Sequence, residues 1–451
     1  MADAITTLIQ DLSARWYSQN DQYMICKMQN MINALQQIEL GLGGPGLNAP
    51  ANQFLGGATS GGITPAAFRF LTPADIPALA AANVPASAIA PSLGNSLSGR
   101  NKIINGDFRI SQRNGTNSVT PTASGYVLDR WTMGLSQASK LTASQALLGA
   151  PYPSSYAMLI NTAAAYTPIA TDQFFIAQVI EAQNCNDTEF GSSGALPLTL
   201  SFWVFPNAIS GPFGGVLGNP AANRSYPFTY NPPPNTFSKV VITIQGDTLG
   251  TWPQTGNGGG MTLYFDLGSG ANFKGPAGAW AAGNFAGAIG TTNLVSQSAS
   301  MYWTDIQLEL APPGATPANP IATSFERRQF GTELALCQRY FTSLSYGGNT
   351  RIATGQATGV GSVDGAIINL PTIMRANPTI VLPAAGTAAG QAAFFQANGT
   401  PVVTVGALAT SGQPAPNSFS VDCTGAAGLI AGNASVLYTT AGCTFTASAE
   451  L

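Results

Sequence analysis

From about residue 100 onward the chain consists of short runs rich in β-branched and aromatic residues, separated by Gly, Pro and Asn turns. Without long helical periods between the runs, that texture restricts the fold to stacked antiparallel sheets. The clearest runs are Tyr156–Asn161, Phe174–Ala182, Leu198–Phe205, Lys239–Ile244, Met261–Leu267 and Met301–Leu310. Within Leu198–Phe205, Phe202 and Val204 point one way while Trp203 and Phe205 point the other. Both faces of that strand are apolar, which suits a strand inside a sandwich or against a covered surface.

Residues 342–451 continue in the same manner. Ile367–Leu370, Thr379–Leu382 and Val402–Val405 are short apolar runs, and Ser418–Cys423 and Cys443–Leu451 alternate with period two. The clear helical interruption is Thr332–Phe341, where Thr332 is placed to cap and Leu334, Cys337 and Phe341 share a face.

The N-terminal region differs. Residues 3–40 have helical periodicity, with Ile5, Leu8, Ile9 and Leu12 on one face and an interruption at 18–21. Met24, Met28, Met31, Leu35 and Ile38 follow at spacings of 4, 3, 4 and 3. That is a heptad seam, read either as packing between subunits or as one amphipathic helix on its own domain. Packing between subunits is preferred, because residues 41–99 carry only Arg69 and Asp75 as charged side chains and little core-forming capacity. Two heptads are marginal alone, so the segment is also expected to dock onto another protein.

The expected fold is therefore mainly β, in four parts. A helical, coiled-coil-like segment (1–40) and a low-charge linker (41–99) precede a β-sandwich (100–341, with a connecting helix at 331–341) and a C-terminal β-domain (342–451).

Composition narrows the function. Charged residues are 8%, against about 25% in ordinary domains. A surface that neutral suits subunits covered by their own copies; the simpler alternative is a neutral-surfaced monomer. A net charge of −3 with 17 Lys and Arg gives no electrostatic footprint for nucleic acid. No apolar run is long enough to cross a bilayer as a helix, so membrane insertion is not expected. The N-terminus lacks the pattern of a Sec-type signal, which implies synthesis in a cytoplasm.

Histidine is absent, which removes Ser-His-Asp and Cys-His catalysis and His-ligated metals. A glycosidase needs only two carboxylates, and a pair such as Glu181 with Asp266 stays open on sequence. No cofactor is expected, and the chain is read as non-enzymatic. The five cysteines, at 26, 185, 337, 423 and 443, have no zinc-type spacing. Cys423 and Cys443 have the phasing to face each other, with free buried thiols as the preferred state. Asp129-Arg130-Trp131 reads as a charge-assisted hydrogen-bonding corner, and Glu326-Arg327-Arg328 as ion pairs at the boundary between modules. Trp252, Trp280, Tyr226 and Tyr230 lie in Gly/Pro-rich, loop-like surroundings. Aromatics there need cover, from a sugar ring or from a neighbouring subunit.

Three stretches resemble ones that recur in bacteriophage tail-fibre and receptor-binding proteins. The first is Asn101-Lys-Ile-Ile-Asn-Gly-Asp-Phe-Arg-Ile-Ser-Gln-Arg113 with Leu128-Asp-Arg-Trp131. The second is Trp303-Thr-Asp-Ile-Gln-Leu-Glu309 with residues 324–341. The third is the ending Ala447-Ser-Ala-Glu-Leu451 with Met374-Arg-Ala-Asn-Pro378. Linker residues 54–62 and 68–77 resemble fibre-shaft segments.

The resemblance implies a carbohydrate-binding-type sandwich whose first and last strands pair, within an elongated homotrimer. It implies a virion protein attached to other virion proteins through residues 1–40 and recognising a host cell-surface glycan. The alternatives are a purely structural collar, head-fibre or baseplate connector and, further off, a glycan-cleaving fibre. In some calcium-binding sugar modules a similar first strand and a late Asp hold a structural ion. Asp107 and Asp305 would be the counterparts, though structural turn and strand-edge roles are preferred for them.

Overall fold

The computed structural model describes residues 53–56, 67–70 and 99–451, except 150–153, 360, 398–400, 405 and 426–427. The expected helix over 3–40, including Met24, Met28, Met31, Leu35 and Ile38, lies outside the described residues. The chain divides into two compact units, 1–86 and 87–451. In the first, Gln53–Gly56 pairs antiparallel with Ala67–Phe70, Phe54 opposite Arg69.

The second unit holds both β modules. The first module is two stacked sheets. One runs, edge to edge, Ala281–Ala282, Arg224–Tyr230, Phe213–Gly218, Gly259–Asp266, Phe174–Glu181, Trp131–Leu135 and Gly125–Leu128. The other runs Ser238–Ile244, Leu198–Asn207, Ser300–Leu310, Tyr156–Thr162 and Leu141–Leu147. Every long run expected from the sequence is present, with ends moved by one or two residues. Side chains alternating inward from both sheets form one core, with Trp131, Phe202, Phe265 and Trp303 fully buried. Phe202 meets Tyr230 and Phe265 edge-on, at 5.1 and 5.0 Å between ring centres.

The segment after residue 100 closes the sandwich along Ser300–Leu310. Lys102 N–H donates to the Leu308 carbonyl and Ile306 N–H to the Gly106 carbonyl. Asn101 Oδ1 accepts from the Ile103 and Leu308 amides. Ser300–Leu310 itself carries a bulge between Thr304 and Gln307, where Asp305 takes a left-handed conformation (φ 50°).

The connecting helix is Phe330–Gln338, and it begins earlier than expected. Gln329 is the N-cap, and Thr332 lies within the helix rather than capping it. Phe341 has already entered the next strand, Phe341–Tyr346. The buried residues of the helix are Glu333 and Cys337. The burial of Glu333 answers to the amide of Asn105 and the guanidinium of Arg328, its partners across the turn.

In the second module a three-stranded sheet (Phe341–Tyr346, Cys443–Ser448, Thr379–Val381) and a larger sheet share a core built around Phe394, Val421, Leu437 and Phe445. Cys423 sits opposite Val363 and Leu408 in the larger sheet, while Cys443 sits opposite Tyr346 in the smaller one. Both thiols are buried and free.

Candidate functional site

The four aromatics fall in two places, neither of them an open platform, and Tyr226 and Tyr230 lie within the strand Arg224–Tyr230 rather than on a loop. Trp252, Trp280 and Tyr226 come together with Phe190: Trp280 lies 5.3 Å from both Trp252 and Tyr226, edge-to-face. Trp252 and Tyr226 are 7% and 5% exposed, and only Trp280 is half-buried. The Trp252 indole N–H donates to Asp247, whose carboxylate also holds Arg224 through two bonds. Tyr230 lies in the sandwich core beside Phe202 and Phe213. The cover these rings need is supplied by one another and by the core: Tyr226 and Tyr230 belong to the sheet, and the loops bearing Trp252 and Trp280 pack against Phe190.

Asp107 and Asp305 do come together. Arg327 donates to Asp305 at 2.8 Å and reaches Asp107 at 4.0 Å, and Arg109 pairs with Asp107 at 3.2 Å. Each carboxylate thus has a guanidinium partner, Asp305 Oδ1 is left buried without a hydrogen bond, and no cluster of three or more metal-ligating side chains exists among the described residues. Burial pushes the Asp305 carboxyl up to about 6, against the opposing pull of Arg327.

The open surface lies elsewhere, on the outer face of the five-stranded sheet, and strand register organises it into rows. In the central row Phe205 is directly opposite Tyr302, Tyr302 opposite Leu159, and Leu159 opposite Ser144. Phe237 extends the row past Phe205, their rings 5.3 Å apart, while Tyr302 meets Phe205 edge-on at 5.7 Å. With strands about 4.8 Å apart, the apolar part from Phe237 to Leu159 is roughly 14 Å long.

On one side of this row runs a polar one: Asn207, Ser300, Asn161 and Thr142 occupy successive positions. Asn207 Nδ2 donates to Ser300 Oγ, and Asn161 Nδ2 lies 3.4 Å from Thr142 Oγ1. On the other side Trp203 is flanked by Lys239 and Thr304. Trp203, Phe205, Phe237, Tyr302 and Leu159 are all partly exposed, and Lys239 is exposed.

The sequence cause is the double alternation in Leu198–Asn207. Phe202 and Val204 belong to the core, so Trp203 and Phe205 must face out. Beyond the bulge the same face is closed. There Thr323 donates to Glu309 and the Glu326 amide to Gln307, laying residues 323–326 over the sheet. At the other end, past Asn207, an open cleft of about 470 Å³ is lined by Ala208, Ile209, Ser210, Pro234, Asn235 and Gln297, among others. The result is an amphipathic face: an aromatic row, an amide and hydroxyl edge, and one cation.

None of these face residues stood out as a site residue in the sequence. The available signal was the apolar outer face of Leu198–Phe205, and pairing with Tyr302, Leu159 and Phe237 requires the register of three further strands.

The carboxylate pair left open by sequence is separated. Glu181 lies opposite Gly259 and Asp266 opposite Phe175, at the two ends of one strand pair. Six residues of strand put them about 20 Å apart, beyond the ~5–9.5 Å of glycosidase pairs. Burial pulls Glu181 upward, but hydrogen bonds from Arg339 and Tyr340 outweigh it and hold the carboxyl low. Asp266 bonds the Gly268 and Ser269 amides and pairs with Lys274 at 3.3 Å.

No family model matches the chain, and no curated protein matches it. Similar solved structures include the enzymatically active domain of tailspike protein 4 of bacteriophage CBA120, at 13% identity and a TM-score of 0.26. That alignment covers 48% of this chain and 22% of the tailspike chain, so the chain spans about a fifth of that relative. A family 11 carbohydrate-binding module from a Clostridium thermocellum cellulase aligns at 11% identity, TM-score 0.22, covering 44% of this chain and 97% of the module. The module TmCBM61, solved with β-1,4-galactotriose, aligns at 9% identity, TM-score 0.24, over 47% and 99%. Similarities this distant assign no role to any residue.

Proposed function

We propose that the chain is a virion structural protein, a phage tail-fibre or receptor-binding subunit, that attaches the particle to a host cell-surface glycan. The observation that carries this reading is the partly exposed row Phe237, Phe205, Tyr302 and Leu159, edged by Asn207 and Asn161. Pyranose rings present apolar C–H faces to aromatic rings and hydroxyls to amides, and this face offers both in parallel rows. An apolar strip left open on a folded sheet calls for a partner, and its polar edge supplies orientation.

Binding rather than catalysis is the proposed mode of action. The carboxylates Glu181 and Asp266 are far apart and engaged with Arg339 and Lys274. Self-association, as a homotrimer, is part of the proposal. Residues 342–451 contain only Arg351, Asp364, Arg375, Asp422 and Glu450 as charged side chains. Arg375 and Glu450 are engaged at the contact with the sandwich, through Asn257, Arg113 and Arg130. A surface so poor in charge is suited to cover by copies of itself. Weak sites repeated on a trimer and a particle would act together.

The test is adsorption of the full chain to host cells and to their isolated surface polysaccharide. Binding to both is expected. Binding to neither, with retention by another virion protein, would favour a connector role. Release of reducing sugar would overturn the non-catalytic reading.

A further inference from the structure

We propose that the glycan taken by this face is acidic, carrying a carboxylate or comparable anion, and that Lys239 reads that charge. The inference rests on the glycan-binding reading above and names its ligand class. Lys239 lies directly across from Trp203 in the strand register, beside the aromatic row. Directly opposed side chains in an antiparallel pair stand about 5 Å apart at Cβ, so a ring stacked on Trp203 lies within reach of the ammonium.

On the three rows Lys239 is the single charged side chain; the other positions are Phe, Trp, Tyr, Leu, Asn, Ser and Thr. Asp305 is a carboxylate that feels Lys239, weakly. Asp305 is held by Arg327 at 2.8 Å, so it is already neutralised by a cation of its own. Lys239 makes no ion pair with any described residue, and the Arg327–Asp305 pair beyond Thr304 adds no net negative charge.

A ligand lying on the aromatic row strips water from this ammonium. A neutral sugar returns at most a hydroxyl, whereas a uronate or other sugar-borne anion returns a charge-assisted hydrogen bond. The face therefore discriminates between two glycans of the same backbone by charge.

The experiment compares polygalacturonate, alginate and hyaluronan with their carboxyl-reduced forms. Each is titrated against the full chain, wild type and the variants Lys239→Met and Lys239→Arg. Methionine keeps the apolar stem and removes the charge. The expected result is tighter binding of at least one acidic polymer than of its reduced form, by about tenfold, the size of one charge-assisted hydrogen bond. K239M abolishes that preference, K239R retains it, and added salt weakens it. Equal or tighter binding of the reduced polymers, or a preference unchanged in K239M, overturns the role of Lys239 and leaves the glycan face standing. Failure to bind any of these polymers in either form, while host surface polysaccharide binds, overturns the acidic-ligand proposal alone; failure of host polysaccharide to bind as well overturns both.

Discussion

Arg130, on the sandwich, and Glu450, on the second module, form an ion pair from which water is excluded: their side chains are 1% and 6% exposed. Arg130 also lies 3.5 Å above the Tyr340 ring and donates to the Val179 carbonyl, while Glu450 takes a second bond from Arg113. Arg375 binds the Ala449 and Glu450 carbonyls on one side and the Asn257 carbonyl on the other. The two modules are thus tied through paired, buried charges. Removing one partner leaves the other buried and uncompensated, which costs about 3–5 kcal/mol. Glu450→Ala is expected to lower stability by that order in chemical denaturation and to open the 339–342 junction to proteases.

A different sensitivity is expected around Gly106. A Cβ at that position would overlap the Ile306 carbonyl oxygen, the strand partner of this segment. Gly106→Ala should destabilise by about 1–3 kcal/mol through forced displacement of the closing segment. Gly125→Ala, where nothing lies within 4 Å of the added carbon, is the control and should be near neutral in the same melts.

Asp305 should make the sandwich more stable in mild acid. Its folded value of about 6 lies above its ordinary value of 3.8, with burial as the main cause. The folded state then binds more protons than the unfolded chain between these values, so this group's contribution falls as pH rises from about 4 to 6. The full effect is bounded at about 3 kcal/mol. Thermal melts of wild type across that window should show the slope, and Asp305→Asn should flatten it.

Cysteines 185, 337, 423 and 443 should titrate as thiols only after unfolding. All four are buried and free, and burial pushes the Cys185 thiol up to about 12. Native protein should therefore react slowly with a thiol reagent, and peptide mapping should recover Cys423 and Cys443 unlinked.

The strands are legible in the sequence because alternation reports burial directly: the runs Leu198–Phe205 and Met301–Leu310 match the observed strands to within two residues. The start of the connecting helix is not, since Thr332 has cap chemistry while the backbone turns at Gln329. Trp252 and Tyr226 depart from the sequence reading for separate reasons: Tyr226 lies in the strand Arg224–Tyr230, where Pro227 gives the run a loop-like composition. For Trp252, glycine- and proline-rich surroundings identify a loop but not the direction in which it folds, and here it folds inward over Phe190. The candidate face was half visible, as Trp203 and Phe205. Its other apolar members, Phe237, Leu159 and Tyr302, lie about 32, 46 and 97 residues from Phe205, joined only by register that no local pattern encodes.

The central claim is that the row crossing Phe205 and Tyr302 binds host glycan, and calorimetric titration tests it most directly. Host surface polysaccharide would be titrated into wild type and into a Phe205→Ser/Tyr302→Ala variant whose fold is confirmed by circular dichroism and melting. The account predicts saturable binding by wild type and a loss of at least about tenfold in the variant, as for removal of a central aromatic anchor. Undiminished binding by the variant would contradict it.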